Sequence, residues 1–288
     1  MLLDILKSAR PHQWVKNSFV LAPLVFSQNL ANPALLAQAT LATLLFCFGS
    51  SAVYIINDLF DREVDRAHPT KCNRPIASGR LSPEMARLSV AILVVGSLTG
   101  AVLLRPAFAA VLAGYIVINL AYSLALKHVA FVDVTIIAFG FLLRILAGAL
   151  AIDVPSSAWL VICTFLLSLY LALGKRKHEL FGLGDQSATR KVLESYRPEH
   201  VNMGMRLTAA VTAIGYAAYT LDETTRIAFD TDLLALGIPF IVFGLFRFFV
   251  LTQRIDHPES PTEQMIRDFP FLGNLVLWGI LNVFLIYG

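Results

Sequence analysis

Within an otherwise apolar chain, the stretch from Asn57 to Leu81, NDLFDREVDRAHPTKCNRPIASGRL, is the most charged run, and it directly follows a long hydrophobic segment ending at Ile56. Read as a continuation of that segment's helix, Asp58, Asp61 and Asp65 fall at i, i+3 and i+7, within about 60° of one another on one face, with Asn57 beside them. Like charges on neighbouring turns repel by a few tenths of a kcal/mol, roughly, per pair, so a positive partner is expected between them. Mg²⁺ is the simplest candidate. It is a hard cation that takes one or two carboxylates and completes its octahedron with water and phosphate oxygens. The basic residues Arg66, Lys71, Arg74 and Arg80 would then face those phosphates. Glu63 points away from the aspartate face and is expected in solvent. A solvated loop of balanced acids and bases would leave the shared face unexplained.

Other charges stand in or beside apolar segments. Asp133 and Arg144 lie in one hydrophobic run about three turns apart, too far to pair with each other. A charge at mid-membrane costs about 2.5 to 3.5 kcal/mol on insertion scales, so each is expected to face the bundle interior. Asp133 reads as a substrate residue and Arg144 as a structural partner, while Arg247, near its helix end, is expected to snorkel. Arg10-Pro11-x-Gln13-Trp14-x-Lys16-Asn17 is dense in polar groups where the chain enters lipid. Trp14 alone reads as an interfacial anchor and Lys16 as a snorkelling cation. Gly140 and Gly148 suit close helix packing.

These groups need a scaffold, and composition says which kind. Of 288 residues 57% are hydrophobic and 15% charged, with a mean hydropathy of +0.67, which places the chain in the membrane class and excludes a soluble two-domain protein. A net charge of +3 is too small to point to nucleic acid. Cys47, Cys72 and Cys163 are widely spaced and make neither a disulfide framework nor a zinc site. The first residues lack a signal peptide's apolar region and cleavage site and read as a short amphipathic helix at the membrane surface. About nine hydrophobic runs recur, at roughly 14–30, 33–56, 83–104, 106–126, 130–150, 156–174, 201–221, 232–252 and 270–287, the first broken or tilted by Pro23. The expected fold is therefore an all-α integral membrane protein, one transmembrane domain over 1–288. Lys and Arg concentrate in the N-terminus and in 57–82, 127–129, 175–200 and 253–269, which the positive-inside rule assigns to the cytoplasmic face of the cell membrane.

Asn57-Asp58-x-x-Asp61-x-x-x-Asp65, followed by Lys71, Arg74-Pro75 and Ser78-Gly79, resembles the first aspartate-rich motif of the UbiA prenyltransferase superfamily of intramembrane enzymes. The resemblance implies Asp58 and Asp61 as catalytic residues, Asp58, Asp61 and Asp65 as Mg²⁺ ligands, and Asn57 among the substrate-binding residues. Tyr122 and Lys127 resemble the family's Tyr and Lys that assist phosphate binding, though Tyr122 equally suits an aromatic belt.

A weak internal echo sets Tyr170 to Phe181 against Tyr54 to Asp65 and places Lys177 opposite Asp61. Most of the superfamily carries a second aspartate cluster in that later loop. This chain has Lys175, Arg176, Lys177 and His178 instead, with Glu179 and Asp185 nearby. A plain positive-inside anchor is the alternative for this run. Together with Lys16 and Asn17, and with Arg190 to Tyr196, the run resembles one branch, the polyprenyl-phosphate (decaprenyl-phosphate) phosphoribosyltransferases. That likeness implies phosphoribosyl pyrophosphate as donor and a polyprenyl phosphate lipid as acceptor, giving a precursor for cell-wall arabinan. The basic cluster 175–177 would meet the donor's 5-phosphate. A conventional transfer of an isoprenoid from its diphosphate to an aromatic acceptor is the alternative. A transporter would need its charges near the midplane, whereas here they gather at one face.

Overall fold

The computed structural model describes residues 1–181, 191–254 and 260–288, and among these every regular element is helical. The chain forms two compact units, one of 1–127 and 140–156, the other of 128–139 and 157–288.

The first unit is built around α3, Pro33–Phe60. Pro33 occupies its first position, where a missing N–H costs nothing, and the Asn32 side chain accepts from the Ala34 and Leu35 amides. At 1.5 Å per residue it is about 42 Å long, more than a bilayer core. α1 (Leu2–Ala9), α5 (Pro83–Leu104) and α6 (Pro106–Leu124) pack on it. Phe46, Phe108, Leu112 and Leu24 fill the core between them. The expected first span is broken further than Pro23 alone suggests: a 3₁₀ helix over Pro11–Leu21 is followed by a five-residue α2, Ala22–Phe26. Neither piece crosses a bilayer. Gly148, in α7 (Val132–Ile152), admits this segment, because a Cβ there would lie 2.0 Å from the Val20 carbonyl oxygen.

In the second unit α8 (Ala158–Phe181) pairs with α9 (Pro198–Leu221), and, with the short α10 (Glu223–Phe229) and α12 (Pro261–Met265) in the connections, α11 (Ile238–Leu251) packs with α13 (Phe269–Tyr287). Tyr170 donates to the Leu245 carbonyl at 2.8 Å, and Gly174 lets the Phe248 ring approach to where a Cβ would meet it at 2.5 Å. α8 runs on to Phe181, so 175–181 is helix and not the loop expected. Lys, Arg and Glu propagate a helix well, and nothing before Gly182 breaks it. Arg247, near the end of its helix, has a carboxylate partner. Its guanidinium grips both Asp268 oxygens, at 2.9 and 2.7 Å, while Asp268 caps α13 by accepting from the Phe271 amide.

Seven helices among the described residues are long and apolar enough to cross a membrane, not nine. α9 has the length but carries Glu199, Arg206 and a series of threonines, and the broken first segment lacks the length. Outward apolar residues such as Ile92, Val95 and Leu103 on α5 are exposed, as lipid-facing positions require.

Replacing Gly148 by Val should drive a side chain into the Val20 backbone, which cannot rotate away. We expect a loss of roughly 1 to 3 kcal/mol or more, seen as earlier thermal unfolding in detergent, whereas Gly114→Ala, with nothing within 4 Å, should be nearly neutral. Equal unfolding of the two variants would contradict the packing.

Candidate functional site

In the first unit the last turn of α3 delivers Asp58, only 2% exposed, and the chain continues through Asp61 into α4, Arg62–Ala67. Backbone bonds from the Asp61 amide to the Asn57 carbonyl (2.9 Å) and from Asp65 to Asp61 (2.8 Å) keep the winding close to helical across the joint. Seven residues of helix return to nearly the same face, so Asp58 and Asp65 converge. Both reach one atom, Arg74 Nη1, at 3.0 and 2.6 Å. Asp61, one turn round and 29% exposed, instead meets Lys127 Nζ at 2.6 Å. Glu63 stands in solvent as expected, paired to Arg66.

Arg74 is delivered by a firmly seated loop. Ile76 and Leu81 are buried against Ile55 and Ala86, the Leu81 amide closes on the Pro75 carbonyl at 2.9 Å, and Gly79 turns the chain at φ +79°. Upstream, the buried His68 accepts through Nδ1 from the Thr70 and Lys71 amides, at 3.2 and 3.4 Å, which fixes the turn carrying the half-buried Lys71. Arg66 and Arg80 are not brought to the aspartates. Arg66 donates to the Ala77 carbonyl and Glu63, and Arg80 to the Asn73 carbonyl and Asp4.

The N-terminal segment contributes a residue that its spacing did not single out. Arg10 Nη2 donates to Asp58 Oδ1, and its guanidinium lies 5.4 Å over the Tyr54 ring. The same segment places Lys16 in solvent and buries Asn17. Asn17 accepts from Arg144 Nε at 2.8 Å and donates to Ser50 Oγ at 3.0 Å; Arg144 also donates to the Tyr115 hydroxyl and the Gly140 carbonyl. Asn17 is thereby part of the core that seats Arg10, and Arg144 has the structural partners expected of it. Tyr122 is half-buried on the last turn of α6.

Among the described residues no three His, Cys, Asp or Glu side chains are grouped so as to hold a metal ion by themselves. The donor set suits a different kind of cation site. Two carboxylates converge on a single positively charged nitrogen, and Asn57 Oδ1, one residue away, is a buried oxygen with no hydrogen-bond partner. That is what a hard cation needs when substrate phosphate fills its other positions.

The second unit holds the basic end of α8. Lys175 is exposed, but Arg176 (2% exposed), Lys177 and His178 are buried, which sets aside a plain solvated anchor. Arg176 Nε faces Asp133 Oδ2 at 2.7 Å as an ion pair without hydrogen-bond alignment, and Nη1 donates to Glu179. Asp133, fully buried at the start of α7, accepts from the Tyr196 hydroxyl and from the Val134 amide; the Phe131 amide donates to the same hydroxyl at 2.9 Å. Burial first, and then the bond to Asp133, push the Tyr196 phenol well above its ordinary pKa, so it remains a donor at neutral pH. Asp133, Arg176, Glu179 and Tyr196 are thus joined in one network. The Lys177 ammonium instead stands 5.0 Å over the Phe249 ring. Asp185 and Arg190 lie outside the described residues.

Residues 18–262 match the model of the UbiA prenyltransferase family. The chain is 39% identical over 231 residues to the decaprenyl-phosphate phosphoribosyltransferase of Mycolicibacterium smegmatis, covering 77% of this chain and 72% of that one. It is 36% identical over 225 residues to the protein of the same name from Corynebacterium glutamicum, covering 76% and 67%. Its fold matches a UbiA homologue from Archaeoglobus fulgidus bound to DMAPP and Mg²⁺, with a TM-score of 0.75 at 20% identity over 98% of this chain and 99% of that one.

Asp133→Asn removes one of the two carboxylates that the buried Arg176 meets and should cost about 1 to 3 kcal/mol, whereas Glu179→Gln, at the more exposed partner, should cost less. Unfolding in detergent reads both. An Asp133→Asn protein as stable as the parent would contradict the network.

Proposed function

Because the chain belongs to the UbiA prenyltransferase family, we propose that it transfers 5-phosphoribose from phosphoribosyl pyrophosphate to the phosphate of a polyprenyl lipid, with decaprenyl phosphate, the lipid in its relatives' names, as acceptor. The product, a polyprenylphosphoryl-5-phosphoribose, suits the supply of arabinan precursors. The enzyme is a multi-pass membrane protein. Its N-terminus and ion-bearing helix ends are assigned to the cytoplasmic side of the cell membrane, where a soluble phosphorylated donor is at hand.

The observation that carries the reading is the convergence of Asp58 and Asp65 on one cationic nitrogen, with an orphaned amide oxygen on the residue preceding Asp58. Asp58, Asp65 and Asn57 Oδ1 would hold the cation, with Asp61 beside them, and the all-oxygen donor set favours Mg²⁺. When bound, it supplies charge stabilisation to the departing pyrophosphate. Arg74 and Lys127, whose present partners are these carboxylates, stand ready to orient pyrophosphate oxygens.

The acceptor phosphate, with a second pKa near 6, is already largely ionised at neutral pH and needs no general base. Its oxygen forms the new bond to ribose C1 as the bond from C1 to pyrophosphate breaks, in one displacement that inverts the anomeric carbon. Positioning and fixed charge then carry most of the rate. The donor's 5-phosphate needs cations of its own. Within the basic run 175–177, Arg176 already meets Asp133 and Glu179, which leaves Lys177 as the candidate.

The direct test incubates membranes containing the protein with labelled phosphoribosyl pyrophosphate, decaprenyl phosphate and Mg²⁺. Label should enter the lipid in a β-linked product, and Lys177→Ala should raise the donor concentration required by roughly 10- to 100-fold, the worth of one charge-assisted hydrogen bond. An α-linked product, or transfer only from a prenyl diphosphate to an aromatic acceptor, would overturn the reading.

A further inference from the structure

Arg10 and Arg74 both place a guanidinium nitrogen on the same oxygen of Asp58, and Arg74 also holds Asp65. Two carboxylates and two arginines sum to zero, so the centre is neutral as it stands. A divalent cation bridging Asp58 Oδ1 and Asp65 Oδ2 would take the place of Arg74 Nη1 and of the Arg10 contact on that same Asp58 oxygen. The arginines then lose their carboxylates at the moment a pyrophosphate arrives with more negative charge than the cation cancels.

Arg10 is well placed to respond. It ends α1 and opens the 3₁₀ segment in a left-handed backbone conformation, φ 51° and ψ 61°, which a residue with a side chain adopts only at a cost in strain. The backbone on either side is pinned: Ser51 Oγ donates to the Ala9 carbonyl at 3.0 Å, Trp14 Nε1 donates to Ser51 Oγ at 3.0 Å, and Asn17 is locked to Arg144 and Ser50. Only the side chain is left to move, and it is 21% exposed with its plane near Tyr54.

We propose that Arg10 is a pyrophosphate-binding residue of this centre: it neutralises Asp58 until the metal enters and then transfers its guanidinium from the carboxylate to a pyrophosphate oxygen. The exchange rests on the donor reading above, and it makes a pair of opposed demands. Arg10 competes with the metal when no phosphate is present and assists it when phosphate is bound. A residue that merely braced the N-terminal segment would weaken both.

The experiment uses the full chain in detergent with Mn²⁺ as a paramagnetic probe, titrated alone and then with inorganic pyrophosphate. Arg10→Gln should bind Mn²⁺ alone as tightly as the parent or several-fold more tightly, and should bind the Mn²⁺-pyrophosphate pair roughly 10- to 100-fold more weakly. Unchanged pyrophosphate binding, or a parallel fall in both affinities, overturns the proposal. Should thermal unfolding show that Arg10→Gln does not fold, Arg10→Lys, which keeps the charge but loses the planar fork, carries the comparison. It should leave Mn²⁺ alone unaffected and weaken pyrophosphate binding about 10-fold or less, and no change in the latter overturns the proposal. Inorganic pyrophosphate is common to phosphoribosyl and prenyl donors. Failure of the donor reading would therefore appear separately, as a parent protein that binds pyrophosphate yet transfers no phosphoribose.

Discussion

A carboxylate buried at the end of an apolar helix cannot keep its charge unless a cation stands against it, because desolvation costs several kcal/mol per ion, roughly, when left uncompensated. Asp58 and Asp65 impose that condition on the first unit, and its local structure follows from meeting it. The loop from Arg74 to Leu81 is anchored by Ile76 and Leu81 so that one guanidinium reaches both aspartates. The N-terminal segment is tied to α3 through Trp14, Ser51 and Asn17 so that a second one reaches Asp58. Lys127, just after α6, answers Asp61. The resulting neutrality rests on side chains that a metal and its phosphate can replace in kind.

The second unit meets the same condition differently. Arg176 meets both Asp133 and Glu179, and the Tyr196 hydroxyl donates to Asp133, so buried charge here is met by opposite charge from the same chain. A network of this sort orders the end of α8 and the start of α7. Lys177 is left in a separate setting, its ammonium over the Phe249 ring and, among the described residues, in no ion pair with a carboxylate. One run of three basic residues therefore divides into a structural arginine and lysines of other character.

The membrane class, the limits of α5 and the alignment of Asp58 with Asp65 were legible in the sequence, because hydropathy and helical periodicity act over neighbouring residues. The failures lie where distant residues decide. Asn17 and Lys16 looked alike in a polar run, yet only Arg144, brought in from α7, makes Asn17 a core residue. Arg10 gave no periodic signal; its meaning comes from Asp58, 48 positions on. Arg247 gave no sign of its partner, because Asp268 lies 21 positions on, at the N-cap of α13. The end of α8 read as a loop because its charges suggested solvent, whereas pairing allowed Arg176 to be buried. The first segment was expected to be broken, and the depth of the break was set by Gly148, a residue of another helix.

Anomalous diffraction from crystals of the protein grown with Mn²⁺ and pyrophosphate would show whether Asp58 and Asp65 form a cation site now held by arginine. One Mn²⁺ is expected within coordination distance of carboxylate oxygens of both Asp58 and Asp65, with Arg74 withdrawn from between them and turned to the pyrophosphate. Mn²⁺ bound elsewhere, with Arg74 still bridging the two aspartates, would contradict such a site.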